Sequence, residues 1–413
     1  MAFRIIRRFG FALSLGIFLL ACGSSNSSKL EIRDGLYVLH LKGSPREMGL
    51  AHGRLLKEML PEVKTYIQQI APDLFQNYLR QEGIIAKIEG YVGPDILEEI
   101  QGITDGSEGA IGYEDLLLLN SPLYILYNFG NLFGLVGCSS FAAFGEATAD
   151  GRLLVGRNLD WSAMSFSQKY PVVLIYEPKG KTAFVSFGYP GIVGVLTGMN
   201  SYGVMAAIHV DLSTELSLDG VDILFGLRRV MEEAKNLAEA EQILINLPRS
   251  TGGNVVLASA GDVNASVFEF STLHYALRRP ENGIIWETNN YQDPVMQTYE
   301  AAAVAGSSWR YQRLGDLLNL NYGQLNPDKA VAMLRDTYDL KTQTTLPILA
   351  ENGRTLGNNS NMYSVVFLPQ DLRFWAAMGP TPGLTNTYVG FDLRKETDPG
   401  YKPATPISNY PAE

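Results

Sequence analysis

Cysteine is nearly missing from this chain: Cys22 and Cys138 are the only two in 413 residues. A disulfide scaffold is thereby excluded as the source of its stability. Histidine is scarce too. His40, His52, His209 and His274 lie far apart, and none has metal-ligand spacing to a cysteine or another histidine, so neither a zinc site nor any other cofactor is implied. Positive charge is in deficit, with 33 Lys and Arg against 43 Asp and Glu and a net charge of −10, which leaves nucleic acid without electrostatic attraction. The one long apolar run, Phe9 to Leu20, falls short of the ~20 residues a membrane-spanning helix needs. Internal repeats are absent. What the chain does have is apolar mass: 46% of its residues are hydrophobic and 10% of all residues are aromatic, enough for a sizeable core.

The amino terminus reads as an export signal. Arg4, Arg7 and Arg8 precede the apolar run, and Ala21-Cys22 closes it. Leu19-Leu20-Ala21-Cys22 resembles a bacterial lipobox, which implies cleavage after residue 21, acylation of Cys22 and membrane attachment of an exported cell-envelope lipoprotein through its acyl chains. Residues 22–30, polar and rich in Ser, then form a flexible tether. With Cys22 committed to lipid, Cys138 is a lone thiol in an oxidising compartment, and so a candidate reactive group.

The first third of the mature chain is mostly helical in pattern. Leu36 to Leu41 alternates as a short strand, Ser44-Pro45 reads as an N-cap followed by a first-turn proline, and helical spacing covers 54–70, 72–79, 95–103 and 113–127. After Cys138 strands dominate, at 171–176, 181–187, 204–210, 254–259, 265–270, 274–277 and 283–287, and again at 362–367, 373–378 and 388–392. Helix pairs at 222–247 and 308–337 interrupt them, which fits two stacked sheets with helices outside.

The chemistry concentrates at Gly137-Cys138-Ser139-Ser140-Phe141, joined by a small, polar loop, 146–151, to Arg152 through Trp161. Two strand-length apolar flanks around such a loop predict a β-hairpin that folds Arg157 and Asp160 back toward Cys138. A thiol beside a guanidinium is biased toward the nucleophilic thiolate, and a nearby carboxylate can orient an amine or water. Taken alone, a single strand cysteine is also compatible with a buried small hydrophobe.

Gly-Cys-Ser-Ser followed by Gly-Arg-Asn-Leu-Asp-Trp resembles the N-terminal-nucleophile (Ntn) hydrolases of the choloylglycine hydrolase, acid ceramidase and penicillin acyltransferase group, most of all the last. Gly43-Ser-Pro-Arg-Glu-Met-Gly-Leu-Ala-His-Gly53 resembles the propeptide opening of that branch. The resemblance implies an α+β fold, a four-layer αββα sandwich over residues 138–413, with a mainly helical prosegment over 31–137. It implies self-cleavage between Gly137 and Cys138, and a nucleophile at Cys138 assisted by Arg157 and Asp160. It also implies an oxyanion donor at Asn289, from the Thr288-Asn289 motif, and a further arginine at Arg310, matching a Ser-Arg-x-x-Arg segment. Gly198-Met199-Asn200 through Gly203 resembles the group's Gly-x-Asn hairpin. The strand that follows it carries Ala207-Ile208-His209-Val210, where choloylglycine hydrolases have a second oxyanion asparagine. His209 is therefore either a substitute donor or a satisfied core histidine.

The implied substrate is a small-molecule N-acyl amide, and the aromatic stretches 124–133 and 161–166 are candidate walls for its acyl part. A surface lipoprotein that uses the same fold only to bind is the alternative. His52 reads as a satisfied helix-end histidine.

Overall fold

The computed structural model describes residues 27–129, 136–161 and 166–412. Cys22, the export signal, most of the tether, 130–133 of one aromatic stretch and 162–165 of the other lie outside these residues.

The chain opens with β1 (Lys29–Arg33) and β2 (Leu36–Gly43), then α1 (Pro45–Leu55), α2 (Leu60–Ile70), α3 (Asp73–Gln81), α4 (Ile84–Tyr91), α5 (Pro94–Gly106), α6 (Tyr113–Leu119) and α7 (Pro122–Phe129). Ser44 caps α1 as expected: it accepts from the Glu47 amide while Glu47 accepts from Ser44. The helix expected over 54–70 is two, α2 starting anew with Pro61 in its first turn, and the one expected over 113–127 breaks at Asn120-Ser121 ahead of Pro122. The tether is shorter than its composition suggests, because Lys29 and Leu30 already pair into β1.

Glycines explain the Met-Gly-x-x-His-Gly segment. In α1, Gly49 and Gly53 face Gly102 and Gly106 of α5, and a Cβ on Gly49 or Gly53 would run into the Glu99 or Ile103 carbonyl. Two helices can cross backbone to backbone only where side chains are missing. His52, between these glycines, is fully buried and its Nε2 accepts from the Gly191 amide at 2.9 Å. That bond holds one ring nitrogen; the other, Nδ1, is buried without a hydrogen-bond partner.

The strands that follow are β3 (Val136–Gly145), β4 (Gly151–Trp161), β5 (Val172–Pro178), β6 (Phe184–Gly188), β7 (Thr197–Asn200), β8 (Val204–Val210), β9 (Gly253–Ser259), β10 (Asn264–Phe270), β11 (Tyr275–Arg278) and β12 (Ile284–Glu287), with β13 (Asn361–Leu368), β14 (Arg373–Met378) and β15 (Val389–Asp392). They build a nine-stranded sheet in the order β1-β2-β5-β6-β7-β8-β9-β10-β11 and a six-stranded sheet in the order β12-β3-β4-β13-β14-β15. Within these two sheets only β2 and β5 pair in parallel. The sheets face each other through β3 against β8 and β9; α8 (Ile223–Glu233) and α9 (Leu237–Ile245) cover the larger sheet, α10 (Ser307–Leu320) and α11 (Pro327–Leu334) the smaller. The expected αββα layering is observed.

Residues before Cys138 belong to the same core. β2 lies inside the nine-stranded sheet, and one apolar cluster joins Ile67, Ile100 and Ile103 to Val172, Val185 and Phe268. Asp222 accepts from the amides of Leu123 and Tyr124 at the start of α7 and from Leu224 at the start of α8, so one carboxylate caps two helices from opposite sides of Cys138. Arg228 of α8, stacked over Tyr176, pairs with Glu99 of α5 at 2.9 Å, and both side chains are 1% exposed.

Candidate active site

The expected hairpin forms, and in its register Gly145 faces Gly151, Ser140 faces Arg157, Cys138 faces Leu159 and Gly137 faces Asp160. Side chains alternate along a strand, so Arg157 and Asp160 leave β4 on opposite faces. Arg157 shares the inter-sheet face with Cys138. Asp160 points the other way, toward the layer of α10 and α11, and does not lie beside the thiol as the folded hairpin alone suggests.

Three different side chains hold Cys138. Its Sγ accepts from Arg157 Nη2 at 3.2 Å, its amide donates to Asn289 Oδ1 at 2.6 Å, and its carbonyl accepts from Arg310 Nη1. All four residues are buried to within 1%. Arg157 Nη2 also donates to the Ile208 carbonyl at 2.7 Å and its Nε to Thr197 Oγ1 at 3.4 Å, which pins the guanidinium across the gap between the sheets. Arg310 comes from the far side. It additionally reaches Ser139 Oγ at 3.2 Å and Asn289 Oδ1 at 3.0 Å, and burial, aggravated by the charge of Arg157, lowers its pKa from the ordinary arginine value.

Asn289 ends the turn after β12. Its Oδ1 accepts from both Cys138 and Arg310, which fixes the orientation of the amide, and its Nδ2 donates to the Val210 carbonyl at 2.8 Å, leaving one amide hydrogen uncommitted. Asn290 stands behind it, accepting from Ser307 Oγ at 2.6 Å. Arg313 is outside the site, in a bidentate pair with Asp336.

Asp160 accepts from Asn358 Nδ2 and Asn361 Nδ2, each at 2.9 Å. Burial raises its pKa, against the opposing charge of Arg310 and these two amides. The carboxylate lies against the bond before the thiol: a Cβ on Gly137 would sit 3.1 Å from Asp160 Oδ2 and 3.5 Å from Arg310 Nη2. Gly137 keeps its φ outside the left-handed region. The space for a side chain at Gly137 is thus limited by the close approach of Asp160 and Arg310, not by its backbone conformation.

His209 lies on β8 between the two carbonyls that Arg157 and Asn289 bind. It is 0% exposed, and burial together with Arg157 and Arg310 holds its pKa well below the ordinary imidazole value. On the face of β4 that carries Arg157, Leu159 and Trp161 continue into an apolar cavity. Tyr66 and Ile67 of α2 and Leu119 of α6 line its other wall.

Sequence reasoning missed Thr197, Ser307, Asn358 and Asn361. The asparagine-rich run 358–361 just before a strand was the available signal for the Asp160 partners, while Thr197 and Ser307 carry no local mark. Among the described residues, one group with metal-ligand chemistry lies elsewhere, Glu31, His40 and Glu396, with ligand atoms within 4.8 Å of one another. Arg33 already bridges both of its carboxylates.

Over residues 147–381 the sequence matches the family described as acyl-coenzyme A:6-aminopenicillanic acid acyl-transferase. An uncharacterized protein of Archaeoglobus fulgidus is 27% identical over 350 residues, 74% of this chain and 58% of its own length. Protein dcd1B of Dictyostelium discoideum is 26% identical over 260 residues, 57% of this chain and 50% of its own. The chain spans little more than half the length of these curated relatives. Similar solved structures include a variant of conjugated bile acid hydrolase from Clostridium perfringens, with 12% identity and a TM-score of 0.45 over 67% of this chain and 97% of that one. Penicillin V acylase from Agrobacterium tumefaciens has 12% identity and a TM-score of 0.40 over 58% and 83%.

Proposed function

The chain belongs to the acyl-coenzyme A:6-aminopenicillanic acid acyl-transferase family, and from that premise we propose that it is a self-cleaving thiol enzyme acting on N-acyl amides. The observation that carries the reading is the threefold hold on Cys138: amide, sulfur and carbonyl each bound by a different buried side chain. A structural cysteine needs none of these.

The chain cuts itself between Gly137 and Cys138. The amide nitrogen that now donates to Asn289 becomes an α-amino group, whose free pKa of roughly 7.7–8.0 suits a general base at neutral pH. That amine takes the thiol proton as Sγ adds to the acyl carbonyl, and returns it to the departing amine as the thioester forms. Water or an acceptor amine then resolves the thioester. Arg157 fixes the sulfur, Arg310 the Cys138 carbonyl, and Asn289, with Asp160 beneath the bond, the new amine. Asn289 has one amide hydrogen left to offer the reacting carbonyl oxygen. The apolar cavity beyond Leu159 and Trp161 suits the acyl part, and its lining by both segments favours their staying together after the cut.

N-acyl amides of 7-amino-4-methylcoumarin, acyl chains of two to twelve carbons, test this reading. Wild type is expected to release the coumarin, and Cys138→Ala and Asp160→Asn to lose at least about a hundredfold at normal folded yield. Equal release by wild type and Cys138→Ala would remove the nucleophile. The membrane anchor on Cys22 belongs to the same reading and rests on the lipobox resemblance. Cys22→Ser is expected to move the protein from the detergent phase to the aqueous phase; unchanged partitioning would refute the anchor.

A further inference from the structure

The apolar cavity beyond the thiol contains one buried hydroxyl that the protein does not satisfy. Two tyrosines line the cavity, Tyr66 and Tyr189, and among the described residues the rest of the lining carries no side-chain hydroxyl, amide or charge. Tyr66 is half-buried, whereas Tyr189 is 2% exposed and its hydroxyl makes no hydrogen bond. A buried tyrosine usually finds a partner for its O–H, because the group loses its water on folding. A ligand that brings an acceptor to this wall gains a hydrogen bond that the chain alone does not make.

Strand register puts this hydroxyl on the path from the thiol. Leu159 of β4 pairs with Cys138 on one side and with Tyr363 of β13 on the other, and residues paired in register share a face, so all three side chains enter the gap between the sheets. Across that gap the Tyr363 hydroxyl donates to Thr197 Oγ1 at 3.0 Å, the same oxygen that accepts from Arg157. Tyr189 is close enough to Tyr363 for that phenol to raise its pKa, and its ring meets Phe166, another wall residue, edge to face with centroids 5.8 Å apart. The ring is therefore placed from two sides, by Phe166 in the wall and by Tyr363 toward the thiol.

The surroundings also say what the hydroxyl can bind. Burial, then Tyr363, keep the phenol well above its ordinary pKa, so it is a neutral O–H donor. A carboxylate or phosphate at this place would be buried in a lining that has no cation to meet it. A neutral oxygen suits the site.

We propose that the acyl part of the substrate carries a keto or hydroxyl oxygen along its chain, and that Tyr189 selects such chains by donating a hydrogen bond to that oxygen inside the cavity. This rests on the reading that the cavity takes the acyl part. Tyr189 is then a specificity residue, remote from the bond that breaks.

Two measurements test it, one of which needs no turnover. The first is kcat/KM of wild type on the aminomethylcoumarin amides of octanoic acid and of its 3-oxo, 5-oxo and 7-oxo derivatives, which move the oxygen along one chain. The second is calorimetric Kd of the corresponding free carboxamides on Cys138→Ala. At least one oxo chain is expected to be favoured over octanoyl by about tenfold in both. With Tyr189→Phe, alone for turnover and added to Cys138→Ala for binding, that ratio is expected to fall to about one. Phe removes only a hydroxyl without a protein partner, so the variant is expected to fold normally. Octanoyl equal to or better than every oxo chain, in both measurements, would mean that water serves the phenol and would overturn the proposal; so would an oxo preference that survives in Tyr189→Phe. Wild type that releases no more coumarin than Cys138→Ala, with the Kd preference present and lost in the Phe variant, would refute Cys138 as the nucleophile and uphold the role of Tyr189.

Discussion

At the scale of residues, the site is an arrangement of buried charges with very few carboxylates. Arg157 and Arg310 approach Cys138 from opposite faces of one strand, and Asp160 is the acid that lies against Gly137 on the Arg310 side. Another buried histidine shows how the same physics acts away from the chemistry. His52 accepts from Gly191, and burial, then the charge of Arg228, depress its pKa to about 3. Its folded pKa lies below the unfolded value, so its contribution to stability is complete above about pH 6.5 and is lost as pH falls toward 3. In the Cys138→Ala background, which the proposed mechanism expects to stay one chain, urea unfolding from pH 7 to pH 5 is expected to lose up to about 1.4 kcal/mol per pH unit from this group. His52→Gln should remove that part of the slope. Identical slopes in both proteins would mean that His52 is not held neutral.

At the scale of elements, the segment before the thiol owes its shape to glycine. Gly53 of α1 meets the Ile103 carbonyl of α5, whereas Gly90 of α4 has nothing within 4 Å of where a Cβ would be. The same substitution should therefore have opposite signs. Gly53→Ala is expected to destabilise by about 2–3 kcal/mol by forcing the helices apart. Gly90→Ala is expected to stabilise by about 0.5–1 kcal/mol through helix propensity. Denaturation midpoints in the same uncut background decide it, and a neutral Gly53→Ala would show that the crossing is looser than drawn.

Element identity was largely legible in the sequence because it is local: Ser44-Pro45 announces a helix, and a short polar loop between two apolar runs announces the hairpin. What was not legible is what depends on partners distant in sequence. Arg228 and Glu99 mark nothing in their own neighbourhoods, and their pairing exists only once α5 and α8 meet. The placement of Asp160 was available in principle, since three residues from Arg157 means the opposite face of a strand. Its partners Asn358 and Asn361 arrive from about 200 residues away, according to the separations of 198 and 201 in their bonds to it.

At the scale of the whole molecule, the described residues on the two sides of Cys138 share one core. β2 is an interior strand of the larger sheet, Asp222 caps helices on both sides of Cys138, and Glu99 neutralises Arg228 across the same divide. Removing one member of such a buried pair costs about 3–5 kcal/mol, so a cut at Gly137 should leave two chains that stay assembled. Cleavage would then alter little of the fold and one atom of the chemistry, turning the Cys138 amide nitrogen into an amine. The most direct measurement is the intact mass, under denaturing conditions, of the freshly purified protein alongside Cys138→Ala, both prepared with protease inhibitors. The account predicts a wild-type fragment that begins at Cys138 and ends at Glu413, increasing with time at the expense of the precursor, and a Cys138→Ala chain that stays whole. A wild-type chain that remains whole while it hydrolyses amides, or a Cys138→Ala chain that splits at the same bond, would contradict it.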